Sequence, residues 1–185
     1  MRSPALRDRI ATLILDAAAG AFSEGGTSTS MLDVARAAGV SRATLYRYFP
    51  NREELVRALA ETAVGAAHDR LIEADLDSVP VPEALARLTR ALVTTGANYA
   101  IVLQEQAAKD HEEIDRLLGD PIRAVFSRGV AEGVLRADIP PNRLARFFGG
   151  LLGAAVHLTA EDDLGVEDAC ATIVTLFLEG GRARS

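Results

Sequence analysis

The sequence has a single cysteine, no tryptophan and no long apolar run, and these absences narrow the possible classes of protein. Cys170 has no second cysteine for a disulfide or a thiolate metal site, which favours a reduced setting. No apolar run reaches the roughly 18 residues that a membrane span needs, so no membrane partner is expected. Long stretches also lack the Val, Ile and Thr alternation of β-strands. We therefore predict an all-α protein of the cytoplasm.

Charge is divided unevenly along the chain, whose net charge is −6 over 185 residues. Residues 1–57 contain eight arginines and six acidic residues, a net charge of +2, whereas the remaining 12 basic and 20 acidic residues give −8. Such a division indicates two parts with different tasks. We predict a helix-turn-helix domain over residues 1–50 and a larger domain over residues 51–185, connected through a helix that starts at residue 51.

Capping and turn signals define the first part. Ser30 with Asp33 predicts a capping box at the start of a short second helix. Gly39 permits the positive φ of a tight turn, and Ser41 caps a third helix that Pro50 ends. Two short helices joined by a glycine turn, and preceded by an amphipathic first helix, form a helix-turn-helix unit.

The third helix has an outward side that suits DNA. If Leu45, Tyr48 and Phe49 point inward, the opposite side carries a guanidinium, a hydroxyl, a phenol and a methyl group and has no acidic residue. Such groups bond to guanine, touch thymine methyl groups and donate to phosphates. This argument selects as candidate DNA contacts Arg47, Thr44, Ala43 and Tyr46 on the helix, and Ser30, Arg42 and Arg52 beside it.

The segment TSMLDVARAAGVSRATLYRYFPNREEL resembles the DNA-binding signature of the TetR family of bacterial one-component regulators. The resemblance covers residues 7–57 and implies a homodimer on a palindromic operator, with the helix from Ser41 to Tyr48 in the major groove. Arg52 occupies the place of a phosphate-binding lysine, and Ser30 that of the cap on the second helix. The positions that match the recognition helix are Arg42, Ala43, Thr44, Tyr46, Arg47 and Tyr48.

Two apolar-faced helices near the C-terminus suit a four-helix interface between two subunits. Ordinary core packing within one chain is the alternative. A single helix-turn-helix makes few base contacts, and the family resemblance implies dimers, so we favour the interface. The candidate interface residues are Leu144, Phe148, Leu151, Leu152, Ala155, Ile173, Leu176 and Phe177.

Polar and aromatic residues on the middle helices are candidates for a ligand pocket, which the resemblance implies for this part of the chain. Each is alternatively a surface residue or a bonded core residue. The candidates are Thr62, Thr95, Asn98, Tyr99, Gln106, Phe126 and His157. The three histidines, His68, His111 and His157, are scattered and lack i,i+4 spacing, so neither a metal site nor another cofactor is expected.

The leading hypothesis is a TetR-like transcriptional regulator, a repressor that binds a palindromic operator in double-stranded DNA as a homodimer. A small-molecule effector in the larger domain would release it by favouring a subunit arrangement with the wrong half-site spacing. An enzyme is not expected, because no nucleophile motif, metal cluster or phosphate-binding glycine loop is present. A DNA-associated architectural or interaction protein without a ligand is the alternative. Either protein would be associated with the nucleoid.

Overall fold

The computed structural model describes residues 4–106, 114–161 and 163–181, which form α-helices and no β-strand. The all-α prediction is confirmed. The helices are α1 (Pro4–Gly25), α2 (Met31–Ala37), α3 (Arg42–Tyr48), α4 (Arg52–Glu73), α5 (Val81–Gln106), α6 (Asp120–Ala131), α7 (Pro141–Ala160) and α8 (Val166–Gly181). Short 3-10 helices lie at Gly26–Ser28 and Leu76–Ser78, and a π-helical turn at Asp115–Gly119. None of these described helices combines the length and the hydropathy that a membrane crossing needs.

The described residues divide into two compact units. The first contains residues 4–63 and 98–106, and the second contains residues 64–97, 114–161 and 163–181. Both α4 and α5 therefore contribute residues to each unit. The change of unit falls inside α4, whereas the predicted domains, 1–50 and 51–185, divide at its start and stay a prediction.

The first unit has a core that α1 to α4 build together. Ile14 of α1, Val34 of α2, Leu45 of α3 and Leu59 of α4 all have no exposed surface. Within α1 the buried residues Ile14, Ala18 and Phe22 recur every four positions, so this helix buries one side against the others. Leu13 lies beside Ile14 but is 51% exposed, because a step of 100° turns it away from this core.

Local hydrogen bonds begin and end the short helices as predicted. The Ser30 hydroxyl accepts from the amide of Asp33, and the Asp33 carboxylate accepts from the amide of Ser30, which completes the capping box of α2. Gly39 has φ +63°, the left-handed conformation that the turn between α2 and α3 requires. The Asn51 side chain accepts from the amide of Glu54 at 2.8 Å and starts α4. These caps fix the direction in which each helix leaves its turn.

The second unit is organised around three phenylalanine rings. Phe126 of α6, Phe148 of α7 and Phe177 of α8 meet edge to face, with centroid distances of 5.1 to 5.4 Å. Phe126 and Phe148 have no exposed surface. Edge-to-face contacts favour this arrangement beyond the area buried. The three helices therefore pack around one buried apolar core.

Candidate nucleic-acid interface

Helix α3 turns its apolar side into the first unit and its basic side outward. The Ser41 hydroxyl accepts from the amide of Thr44 at 3.1 Å and caps the helix. Leu45 is fully buried, and Phe49, just after the helix, is 7% exposed. Tyr48 is half-buried and packs against the same core, as the sequence predicts. Arginine, alanine and tyrosine side chains are therefore left on the opposite side.

The outward side of α3 is basic and aromatic. Arg42, Ala43 and Arg47 are exposed, and Tyr46 is 36% exposed. The guanidinium of Arg42 lies 5.3 Å from the centre of the Tyr46 ring, and that of Arg47 lies 5.3 Å from the centre of the Tyr48 ring. Cation–π contact limits the rotamers of these long side chains while their N–H groups stay accessible. The helix contains no acidic residue that would repel a phosphate.

The first turn of α2 contains an acidic residue, Asp33, whose carboxylate is hydrogen-bonded to Ser30. The hydrogen bonds of the Ser30 side chain and amide to the Asp33 carboxylate, and to a lesser extent the nearby Arg36 guanidinium, hold the Asp33 pKa below its ordinary value. Arg36 pairs with Asp33 at 3.3 Å and remains exposed. Leu32, the residue before Asp33, is 46% exposed. The acid at the start of α2 is therefore bonded within its own turn.

Arg52 contacts residues that were not predicted from the sequence. Its Nη1 donates to the carbonyl oxygen of Thr29 at 2.5 Å, and its guanidinium lies 4.7 Å from the centre of the Phe22 ring. Both partners are more than twenty residues away in the sequence, so no local pattern reveals them. The predicted phosphate contact of Arg52 stays a prediction, and its guanidinium is already bonded inside the first unit.

The candidate ligand residues Thr62 and Tyr99 lie in the first unit. Both are half-buried, and the Thr62 hydroxyl donates to the carbonyl of Ala58 at 2.8 Å. Tyr99 packs against the core of this unit, and burial, followed by the charge of Asp16, raises the pKa of its phenol. The side chains of two further candidates, Asn98 and Gln106, lie outside the described part of the structure.

The other described candidate ligand residues, Thr95, Phe126 and His157, lie in the second unit and differ in exposure. Thr95 is buried, and its hydroxyl donates to the carbonyl of Ala91 at 2.9 Å. Phe126 lies in the core with none of its surface exposed and its ring against that of Phe148, and its contact with a ligand stays a prediction. His157 is exposed, and its Nε2 lies 3.4 Å from a carboxylate oxygen of Glu161. Its place among apolar residues in the sequence does not bury it, since its side of α7 faces outward.

An open cleft of about 670 Å³ lies elsewhere on the second unit. Its floor is apolar, at Ala74, Ala91 and Val166, and its rim carries guanidinium and carboxylate groups. Arg87 and Arg90 on this rim are paired with Glu83 and Glu167 respectively. The described candidate ligand residues do not line it.

Most residues of the predicted dimer interface lie in the core of their own subunit, and the interface stays a prediction. Six of them are no more than 8% exposed and belong to the core of the second unit: Leu144, Phe148, Leu152, Ala155, Ile173 and Phe177. Side chains that their own subunit covers have no surface left for a partner. Leu151 is half-buried against the same core, and Leu176 is 58% exposed. Two apolar residues that were not among the predicted interface residues, Phe147 and Leu158, are 70% and 40% exposed on α7.

The sequence is similar to known regulators of transcription. The family of bacterial regulatory proteins named tetR matches residues 14–59, which include α2 and α3. The HTH-type transcriptional repressor LfrR of Mycolicibacterium smegmatis is 31% identical over 187 residues, which cover 97% of this chain and 96% of LfrR. This chain belongs to the TetR family.

Further relatives of this TetR-family chain agree over most of its length. The HTH-type transcriptional regulator NfxB of Pseudomonas aeruginosa is 28% identical, over 82% of this chain and 83% of NfxB. The crystal structure of LfrR from Mycobacterium smegmatis in complex with proflavine has a TM-score of 0.76 and 29% identity, over 95% of this chain and 97% of LfrR. The predicted function, a TetR-like regulator of transcription, is confirmed, and a purely architectural protein is not favoured.

Proposed function

We propose that this TetR-family regulator acts as a repressor in the cytoplasm, binding a palindromic operator as a homodimer with α3 in the major groove. The observation that carries the proposal is the outward side of α3, where two guanidinium groups stack on neighbouring tyrosine rings and no acidic residue intervenes. A groove lined by phosphates attracts such a side, and guanine offers two acceptors to one guanidinium. The role is binding without catalysis.

The proposed contacts follow from the exposed groups of α3. Arg47 bonds in bidentate fashion to a guanine, while Arg42 and Tyr46 donate to phosphate oxygens. Ala43 and the methyl group of Thr44 face a thymine methyl, because the Thr44 hydroxyl lies 2.9 Å from that of Ser41 and is already bonded. Ser30 and Ser41 act mainly by capping α2 and α3, and Tyr48 acts mainly by packing α3 against the core of the first unit.

We place the dimer interface on the outward sides of α7 and α8. Three large apolar side chains are exposed there, Phe147 and Leu158 on α7 and Leu176 on α8. A Cβ added at Gly150 or Gly153 of α7 would point into open space, so a second helix can approach the backbone of α7 closely. A second copy of the same face covers this apolar surface under two-fold symmetry.

A planar aromatic cation of the proflavine type is the proposed effector class. Support comes from the similarity to LfrR, whose crystal structure contains proflavine. It also comes from charge, since residues 58–185 carry a net charge of −8, which attracts cations. Thr62, Thr95 and Tyr99 stay candidate contacts. If proflavine weakens operator binding, the operator must weaken proflavine binding by the same factor.

Selection of bound fragments from sheared genomic DNA by the purified protein tests the proposal. An enriched palindrome is expected, and fluorescence anisotropy then compares the wild type with Arg47→Ala. Loss of one bidentate contact should cost about 1 to 3 kcal/mol, mainly at one base pair of each half-site. Arg57→Ala is the matched control, because Arg57 is an exposed arginine of α4 that pairs with Glu54.

Two results would count against this assignment. If no sequence is enriched, or if Arg47→Ala and Arg57→Ala bind alike, α3 does not read the bases. Where an operator has been selected, addition of proflavine to its complex with the wild type tests the effector class separately. An unchanged anisotropy at saturating proflavine would reject that class while leaving the operator assignment intact.

A further inference from the structure

Arg52, the first residue of α4, is bonded to the segment that leads into α2. Its Nη1 donates to the carbonyl of Thr29 at 2.5 Å, and its Nη2 donates more weakly to the carbonyl of Thr27 at 3.4 Å. The Cζ atom of Arg52 lies over the ring of Phe22, 4.7 Å from its centre. The Arg52 side chain thus connects the start of α4 to the end of α1 and to the segment between α1 and α2.

The acceptors of Arg52 are themselves held in place. Thr29 is 6% exposed, and its hydroxyl donates to the carbonyl of Ala21 in α1 at 3.0 Å. Phe22 is 2% exposed and belongs to the core of the first unit. Gly25 lies so close that a Cβ there would be 2.6 Å from the Thr29 hydroxyl. The segment therefore has little freedom to move while Arg52 stays bonded.

We propose that Arg52 is a positioning residue for DNA reading and is not itself a phosphate contact. Thr29 directly precedes Ser30, which caps α2, and α2 leads through the Gly39 turn into α3. By holding the carbonyl of Thr29, Arg52 fixes the position at which α2 begins relative to the start of α4. It thereby fixes the orientation of α3. This inference rests on the proposed reading of an operator by α3.

The chemistry of the side chain separates the two roles. A guanidinium is planar, donates in two directions and stacks on an aromatic ring, whereas an ammonium is a compact charge that satisfies a phosphate equally well. Lysine at residue 52 would therefore preserve a phosphate contact but would not reproduce the two carbonyl bonds and the stacking on Phe22. Methionine would preserve only the length of the side chain.

The test measures operator binding of wild type, Arg52→Lys and Arg52→Met across a salt series, with Arg57→Met as the control. Positioning predicts that both Arg52 variants bind about tenfold more weakly, since each loses hydrogen bonds to a charged group. It also predicts that the slope of log K against log salt is unchanged. If Arg52→Lys binds like the wild type and Arg52→Met lowers the slope by about 0.9, Arg52 is a phosphate contact and the proposal is overturned.

Hydrogen exchange of the DNA-free protein provides a readout that does not depend on any operator. We expect faster exchange at the amides of Thr29 and Ser30 in Arg52→Lys and Arg52→Met, and wild-type exchange in Arg57→Met. Unchanged exchange in the Arg52 variants would overturn the proposal even if their DNA binding were weaker. If the wild type selects no operator, the proposed function fails, yet the exchange comparison still decides whether Arg52 holds this segment.

Discussion

Two adjacent phenylalanines on α7 form a matched pair that tests which side of this helix is inside the subunit. Phe148 is fully buried, and its ring meets those of Phe126 and Phe177 at 5.3 and 5.4 Å. Truncating such a side chain costs about 3–5 kcal/mol of unfolding free energy, because apolar transfer is lost and a cavity remains. Phe147 is 70% exposed, so only about 60 Å² of its roughly 200 Å² is covered, worth about 1.5 kcal/mol at most.

The assay is urea unfolding of the wild type, Phe147→Ala and Phe148→Ala at low and high protein concentration. Phe148→Ala should lose about 3–5 kcal/mol at both concentrations. Phe147→Ala should differ little from the wild type at low concentration. At high concentration it should lack the additional stability that association gives to the folded wild type. Sedimentation of the same samples should show a weaker dimer for Phe147→Ala.

Each outcome addresses a separate step of the reasoning. A loss of about 3 kcal/mol or more for Phe147→Ala at low concentration would refute the assignment of the two sides of α7. An unfolding curve of Phe148→Ala that superimposes on that of the wild type would do the same. A Phe147→Ala dimer as tight as the wild-type dimer would preserve the core assignment but reject the proposed interface.

Two further predictions concern a close helix contact and a capped carboxylate. In Gly96→Ala the new Cβ would lie 2.5 Å from Cγ2 of Val156, and this variant should have a lower Tm than the wild type. In Gly20→Ala the new Cβ has open space, and this variant should stabilise α1 by about 0.5–1 kcal/mol. Equal thermal shifts for the two variants would contradict this packing. The bonds from Ser30 lower the Asp33 pKa, so the ionised carboxylate stabilises the fold above its unfolded pKa, and this stabilisation is lost as pH falls through the lower folded value. Ser30→Ala should move the Asp33 pKa up toward its ordinary value of 3.8, and an NMR titration that found no change would contradict the capping box.

The helix-turn-helix unit was predictable because its determining contacts are local. The Ser30 and Ser41 caps each bond to an amide three residues later, so both partners lie within one turn of helix. Gly39 adopts a backbone conformation that its own lack of a Cβ permits. The basic outward side of α3 followed from the same helical spacing. Residue types and their separation along the chain were sufficient for these features.

The correct side of α7 was not predictable in this way. Phe147 and Phe148 are both apolar and differ in direction by one helical step, so the sequence places apolar residues on two sides. Only packing against Phe126 of α6 and Phe177 of α8 decides that Phe148 is inside and Phe147 outside. The predicted interface residues were consequently mostly those of the core.

The sequence by itself determined the helical class, the caps and turns of the DNA-binding unit, and the family to which the chain belongs. The tertiary structure alone decided the partners of Arg52, whose carbonyl acceptors lie 23 and 25 residues earlier in the chain. Local signals depend on hydrogen bonds and steric limits within one or two turns. Which apolar sides are buried, and which distant carbonyls a guanidinium reaches, depend on how separate helices pack together.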